Sequence, residues 1–277
     1  MVIILRKVEF AQILSTTSNF PPHRPRNDYL SYRTPHTRKV FNVGNISLES
    51  KLVVELIGTF ALTFIGAGSI MMGGDITTVA LAHGVVLAIV VTATMNISGG
   101  HINPAVTISM MIVKKIDNET GAKYIVAQLL GASIAGFILC LLLDGTSIPV
   151  DGHGMGTPSP NSGLSMMGVI GVEAALTFLL LFAIWGTAVD PRAPAIGGWG
   201  IGMMVAVDIM MGGGLTGAAM NPARWMGTWI FTDMADMNHL LYYWGGPLIG
   251  AISCSLLYNH FIMAPEDNDA KLSDHDA

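Results

Sequence analysis

Apolar residues fall in long blocks along this chain. From Leu52 to Phe261 nearly every residue is apolar, Gly, Ser or Thr, with short polar turns between blocks. Six segments stand out, at about 52–73, 77–97, 122–143, 164–187, 196–213 and 239–262. A helix needs about 20 apolar residues to cross a bilayer, so these predict six spanning helices. The fifth is marginal in length, and Gly212-Gly213-Gly214 predicts a sharp end to it. Two further apolar stretches, 104–113 and 222–231, are too short to span. Each follows a turn of small residues and begins Asn-Pro-Ala, which reads as a half-helix entering the membrane from a re-entrant loop.

An internal repeat orders these elements. Glu55-Leu-Ile-Gly-Thr59-Phe60 matches Glu173-Ala-Ala-Leu-Thr177-Phe178, and Ser98-Gly99-Gly-His-Ile-Asn103-Pro104-Ala105 matches Thr216-Gly217-Ala-Ala-Met-Asn221-Pro222-Ala223. Both pairs are offset by 118 positions, 55 to 173 and 103 to 221, as a duplication requires. Each half, about 52–143 and 164–262, carries three spans. An odd number turns the second half upside down, which predicts an inverted repeat with its functional site where the halves meet near the midplane.

The flanks are polar. Residues 1–47 contain Pro21, Pro22, Pro25 and Pro35 and no sustained apolar period, so they read as a disordered tail, with 264–277 as a second tail and 48–263 as the membrane domain. An Arg-rich, acid-poor start also fits an organellar transit peptide; the cytosolic tail is the expectation kept. Eight of the fourteen basic residues lie in 1–51. If six spans alternate, Lys114, Lys115, Lys123, Arg192 and Lys271 share that face, while 74–76, 144–163 and 232–238 hold no Lys or Arg. The positive-inside rule then puts both termini in the cytosol, and the cell membrane is the expected location. Charged residues are 12% of the chain, against about a quarter in soluble domains, which points to a lipid-facing surface. The net charge of −5 sits in tails and loops and points to no nucleic-acid partner. Cys140 and Cys254 both lie in apolar runs and read as buried, reduced thiols, and no His spacing suits a metal site. No nucleophile, acid pair or cofactor motif converges, so an enzyme is not expected.

The paired Asn-Pro-Ala motifs carry the chemistry. Asn is a favoured N-cap and Pro a favoured first helical residue, so Asn103-Pro104-Ala105 and Asn221-Pro222-Ala223 start helices. Inversion would set the two N-termini face to face at mid-membrane, each with about half a positive charge. Each Asn can cap its helix through oxygen and still offer NH₂ donors to a lumen. Water passing there would turn its oxygen to those donors and lose the chain of bonds that proton hopping needs.

On these motifs, with Ser98-Gly99-Gly100-His101, Gln128-Leu-Leu-Gly131 and Trp244-Gly-Gly-Pro247-Leu-Ile-Gly250, the chain resembles the aquaporin (major intrinsic protein) family over about 52–262. The resemblance implies an all-α membrane fold of six helices and two half-helices, a homotetramer with a pore in each subunit, no cofactor, and passage of water and small neutral solutes. By counting from the motifs, it places His83, Ile209, Ala218 and Arg224 at the family's narrow constriction. That set is most similar to plant tonoplast intrinsic proteins, which implies ammonia as a further solute. Glu55, Glu173 and His101 are implied to support the re-entrant loops.

Three features stay open at this stage. Asp208, beside Ile209, either serves function or braces a loop. Trp225 and Trp229 are expected against a neighbouring subunit or lipid. A glycerol facilitator is the main rival, opposed by Trp225 after the pore Arg and by Tyr243-Trp244. An ion-coupled transporter and a non-conducting scaffold are weaker rivals.

Overall fold

The computed structural model describes residues 46–143, 154–234 and 236–263. The expected tails fall outside these residues, apart from Ile46 and Ser47. The elements are α1 (Leu48–Met71), α2 (Ile76–Thr94), the short α3 (Pro104–Ile112), α4 (Asn118–Leu143), α5 (Met166–Val189), α6 (Trp199–Thr216), the short α7 (Pro222–Trp229) and α8 (Asn238–Ile262). Six are long and apolar enough to cross a membrane. Strands are absent among the described residues.

Small polar side chains start the helices. Ser47, Asp75 and Ser165 cap α1, α2 and α5 by accepting from Ser50, Thr78 and Gly168 backbone N–H groups. The predicted sharp stop at Gly212-Gly213-Gly214 is corrected, because α6 runs on to Thr216 and ends at Gly217 with φ +80°. Gly212 and Gly213 are contact points. A Cβ at Gly212 would strike Leu176, and one at Gly213 would lie 2.5 Å from Ile76 Cδ1. The turn of α5 at Trp185–Val189, and those of α8 at Leu241–Gly245 and Tyr258–Ile262, are wound as π-helix.

The halves are intertwined. In each half the first span packs on the third, α1 on α4 and α5 on α8, while α2 packs on α6 across the halves. Each half-helix packs on the third span of the opposite half, α3 on α8 and α7 on α4. Glycines let these backbones close up: a Cβ at Gly202 would meet the Gly84 carbonyl, and one at Gly250 the Ala174 carbonyl. The outer faces display Val53 and Ile57 on α1, Val126 and Leu130 on α4, and Val207 and Met211 on α6, as a lipid-facing wall requires. Cys254 is buried as expected, but Cys140 is exposed on the outer face of α4.

Candidate functional site

The two loops before the half-helices are each built around a buried carboxylate. Glu55 Oε1 accepts from Ser98 Oγ (2.6 Å) and His101 N (2.9 Å), and its Oε2 from Ile102 N (2.6 Å) and Gln128 Nε2 (2.8 Å). In the second half, Glu173 Oε1 accepts from Thr216 Oγ1 (2.6 Å) and Ala219 N (3.0 Å), and Oε2 from Met220 N (2.8 Å). Both carboxylates are wholly buried, where only such donors offset the loss of water. The repeat mate of Gln128 is Gly246, packed against Glu173 Cβ, so the second carboxylate lacks the fourth donor. The loops take matching left-handed turns, with φ of +55° at Ile102 and +50° at Met220, and +62° at Gly100 and +47° at Ala218.

Those turns deliver two helix starts to one point. Asn103 Oδ1 caps α3 through Ala105 N (2.8 Å), and Asn221 Oδ1 caps α7 through Ala223 N (3.0 Å) and Arg224 N (3.2 Å). Each amide also donates to the opposite loop, Asn103 Nδ2 to Met220 O and Asn221 Nδ2 to Ile102 O, both at 2.9 Å. The half-helices therefore meet N-terminus to N-terminus, and one N–H of each NH₂ group remains for the lumen. Asn103 and Asn221 border a cavity that runs between the halves, from Lys115 and Val189 at one end to His83 and Arg224 at the other. Its wall is largely apolar, with Leu87, Val91, Leu180 and Val205 among the lining.

His83, Ile209, Ala218 and Arg224 all line this cavity, and all are buried. His83 Nδ1 lies 2.8 Å from its own helix's Val79 carbonyl, which makes Nδ1 the protonated nitrogen and leaves Nε2 to accept. Arg224 donates to that Nε2 from Nε (3.3 Å) and Nη2 (3.1 Å), and from Nη1 to the Gly156 carbonyl (2.9 Å). The guanidinium thus stands against the wall between α2 and the 154–163 loop, and among the described residues it forms its bonds to a neutral imidazole and a carbonyl. Pro104, Ala105, Pro222 and Ala223 are buried in the half-helix starts behind the two Asn residues.

Some residues stand elsewhere than the sequence suggested. His101 supports the loop through its backbone N–H, while its ring lines the cavity and meets Thr107 Oγ1 at 3.1 Å. Trp225 and Trp229 are buried inside the subunit, a correction to the expected lipid or subunit contact. Their rings stack at 4.8 Å, and Trp225 stacks on Tyr243 at 5.1 Å. Asp208 is buried off the cavity lining, and its Oδ2 has no hydrogen-bond partner among the described residues. The loop-bracing bond left open for it is not seen. Sequence reasoning missed Gly156, whose contribution is a loop carbonyl, and Tyr243, whose hydroxyl donates to Thr216 O at 2.7 Å.

A polar point within an apolar passage through six spans defines a membrane channel for small solutes. Residues 42–258 match the Major intrinsic protein family. The chain is 40% identical to Aquaporin TIP4-4 of Zea mays over 245 residues, 83% of this chain and 92% of that one. It is 37% identical to Aquaporin AqpM of Methanothermobacter marburgensis over 243 residues, 78% and 98% of the two chains. The fold is similar to the X-ray structure of the aquaglyceroporin from Plasmodium falciparum, with TM-score 0.66 and 26% identity over 78% of this chain and 97% of that one. The chain belongs to the Major intrinsic protein family, as a multi-pass passive water channel. Membership points to a channel and away from an enzyme.

Proposed function

We propose that the channel passes small neutral solutes such as ammonia along with water and excludes protons and ions, with His83, Ile209, Ala218 and Arg224 as its selectivity constriction. The observation that carries this reading is the Arg224–His83 pairing at the end of the cavity. Arg224 and His83 present a guanidinium and an imidazole there, while Ile209 and Ala218 add alkyl side chains to the lining, which offer no hydrogen bond. A solute is gripped by part of the lining only, so ammonia is penalised less than in a pore polar all round. Ions meet a guanidinium and two helix N-termini, the general explanation of proton and cation exclusion in aquaporin-type pores.

Moving the imidazole across the pore tests this reading. The double change His83→Phe with Ile209→His should lower ammonia flux more than water flux in liposomes. Equal loss of both would mean damaged protein, and unchanged ammonia flux would remove these residues from the filter.

Glycerol is the second reading, prompted by the likeness to an aquaglyceroporin. Trp225 after Arg224, stacked on Tyr243, opposes it, because it departs from the glycerol-facilitator pattern at both positions. The charge bias supports cytosolic termini. A homotetramer in the cell membrane completes the proposal; cross-linking in membranes and a fluorescent fusion would check these two points.

A further inference from the structure

The position of His83 depends on a residue of another helix that does not itself line the cavity. Gly66, buried in the C-terminal quarter of α1, faces the His83 ring so closely that a Cβ added there would overlap Nε2 and Cδ2 and lie 2.7 Å from Cε1. Its φ is outside the left-handed range, so alanine fits the backbone, and alanine is the better helix former. The three atoms nearest to such a Cβ all belong to the imidazole. We infer that Gly66 is a positioning residue for the constriction: its missing side chain is the notch that receives the His83 ring, and the depth of the notch sets how far His83 and Arg224 stand back from the lumen.

The chain of contacts is short. The ring is tied to α2 by the Nδ1 bond to Val79 O and to the pore wall by the two Arg224 donors on Nε2. With the notch filled, the ring has α1 behind it and only the lumen in front. Moving forward, it carries the Arg224 guanidinium with it; rotating aside, it gives up the Arg224 bonds and frees the guanidinium. Either movement puts polar atoms into the narrowest part of the pore. A narrower passage penalises a larger neutral solute more than water.

The inference rests on the constriction reading above, and the experiment separates the two. Gly66→Ala, His83→Ala and the double variant are purified, put in liposomes and assayed for water and urea permeability per folded protein. Gly66→Ala should lower water flux several-fold and the urea-to-water ratio further. The double variant should recover the flux of His83→Ala, because the ring to be displaced is gone. Wild-type fluxes in Gly66→Ala, or a double variant as slow as Gly66→Ala, would overturn the notch and leave Gly66 a plain packing position. His83→Ala behaving as wild type would instead strike at the constriction itself.

Discussion

Two residues related by the repeat do the same work with unequal support. Glu55 holds its loop with four donors and Glu173 with three. A glutamine at 55 must turn its NH₂ toward a pair of donors, and hydrogen bonds to a charged group contribute about 1.5–3 kcal/mol each. Even with the Gln128 amide turned over to accept, its 3.0 Å bond to Thr107 is lost. A glutamine at 173 can point its NH₂ at the single donor, Met220 N. Glu55→Gln should therefore unfold at a lower temperature in detergent than Glu173→Gln; the reverse order would refute the donor count. Ala218 gives a second test. It holds φ +47° where its repeat mate is Gly100. That conformation costs a non-glycine residue about 1–2 kcal/mol, against about 0.5–1 kcal/mol for the freedom glycine loses on folding. Ala218→Gly should raise the thermal midpoint by up to about 3 °C, the equivalent of ~1 kcal/mol in a domain of this size. A lowered midpoint would mean that the methyl group packs better than the turn is strained.

Among the elements, α5 and α8 end together on the Lys115 side of the cavity in a polar latch. Trp185 donates to Ser255 Oγ (3.0 Å) and stacks on Tyr258 at 5.4 Å. Asp190 accepts from Arg192 through N (2.8 Å), Nε (2.9 Å) and Nη2 (2.6 Å), and from the Tyr258 hydroxyl (3.2 Å). Arg192 also donates to Ile262 O at 2.8 Å, satisfying a terminal helix carbonyl. Bonds from the Arg192 side chain first, and then its backbone, hold the Asp190 carboxyl well below the usual range. A depressed carboxylate contributes stability that is present above its unfolded pKa and lost as pH falls through the folded one. The latch should therefore persist from pH 7 to pH 5. Hydrogen exchange over 186–198 and 256–263, corrected for intrinsic rate, should be the same at both pH values in the wild type and faster at pH 7 in Asp190→Asn. Protection lost by pH 5 in the wild type would contradict it. This latch was not legible in the sequence, because the Asp190–Arg192 pair meets Tyr258 and Ile262 only when α5 packs on α8. The half-helix caps were legible, since Asn-Pro-Ala states its conformation locally.

At the scale of the molecule, the apolar blocks and the single offset of 118 positions were enough to anticipate the inverted repeat and the meeting of the half-helices. The exchange of bonds from Asn103 Nδ2 to Met220 O and from Asn221 Nδ2 to Ile102 O was not, because its acceptors are backbone carbonyls that any residue supplies. The same holds for the Gly156 carbonyl on Arg224. Trp225 was misplaced for a different reason: a tryptophan on a membrane-short helix reads as amphipathic, and only the packing shows Tyr243 covering it. These bonds tie the two halves into one rigid pore, so conduction should need no ion gradient and no large motion. The wild-type protein in liposomes tests this most directly, with water, ammonia and proton permeability measured on the same vesicles. The account predicts rapid water flow, an ammonia-driven rise in internal pH above that of empty vesicles, and no added proton leak. Water flow no faster than in empty vesicles, or a proton leak that rises with protein content, would contradict it.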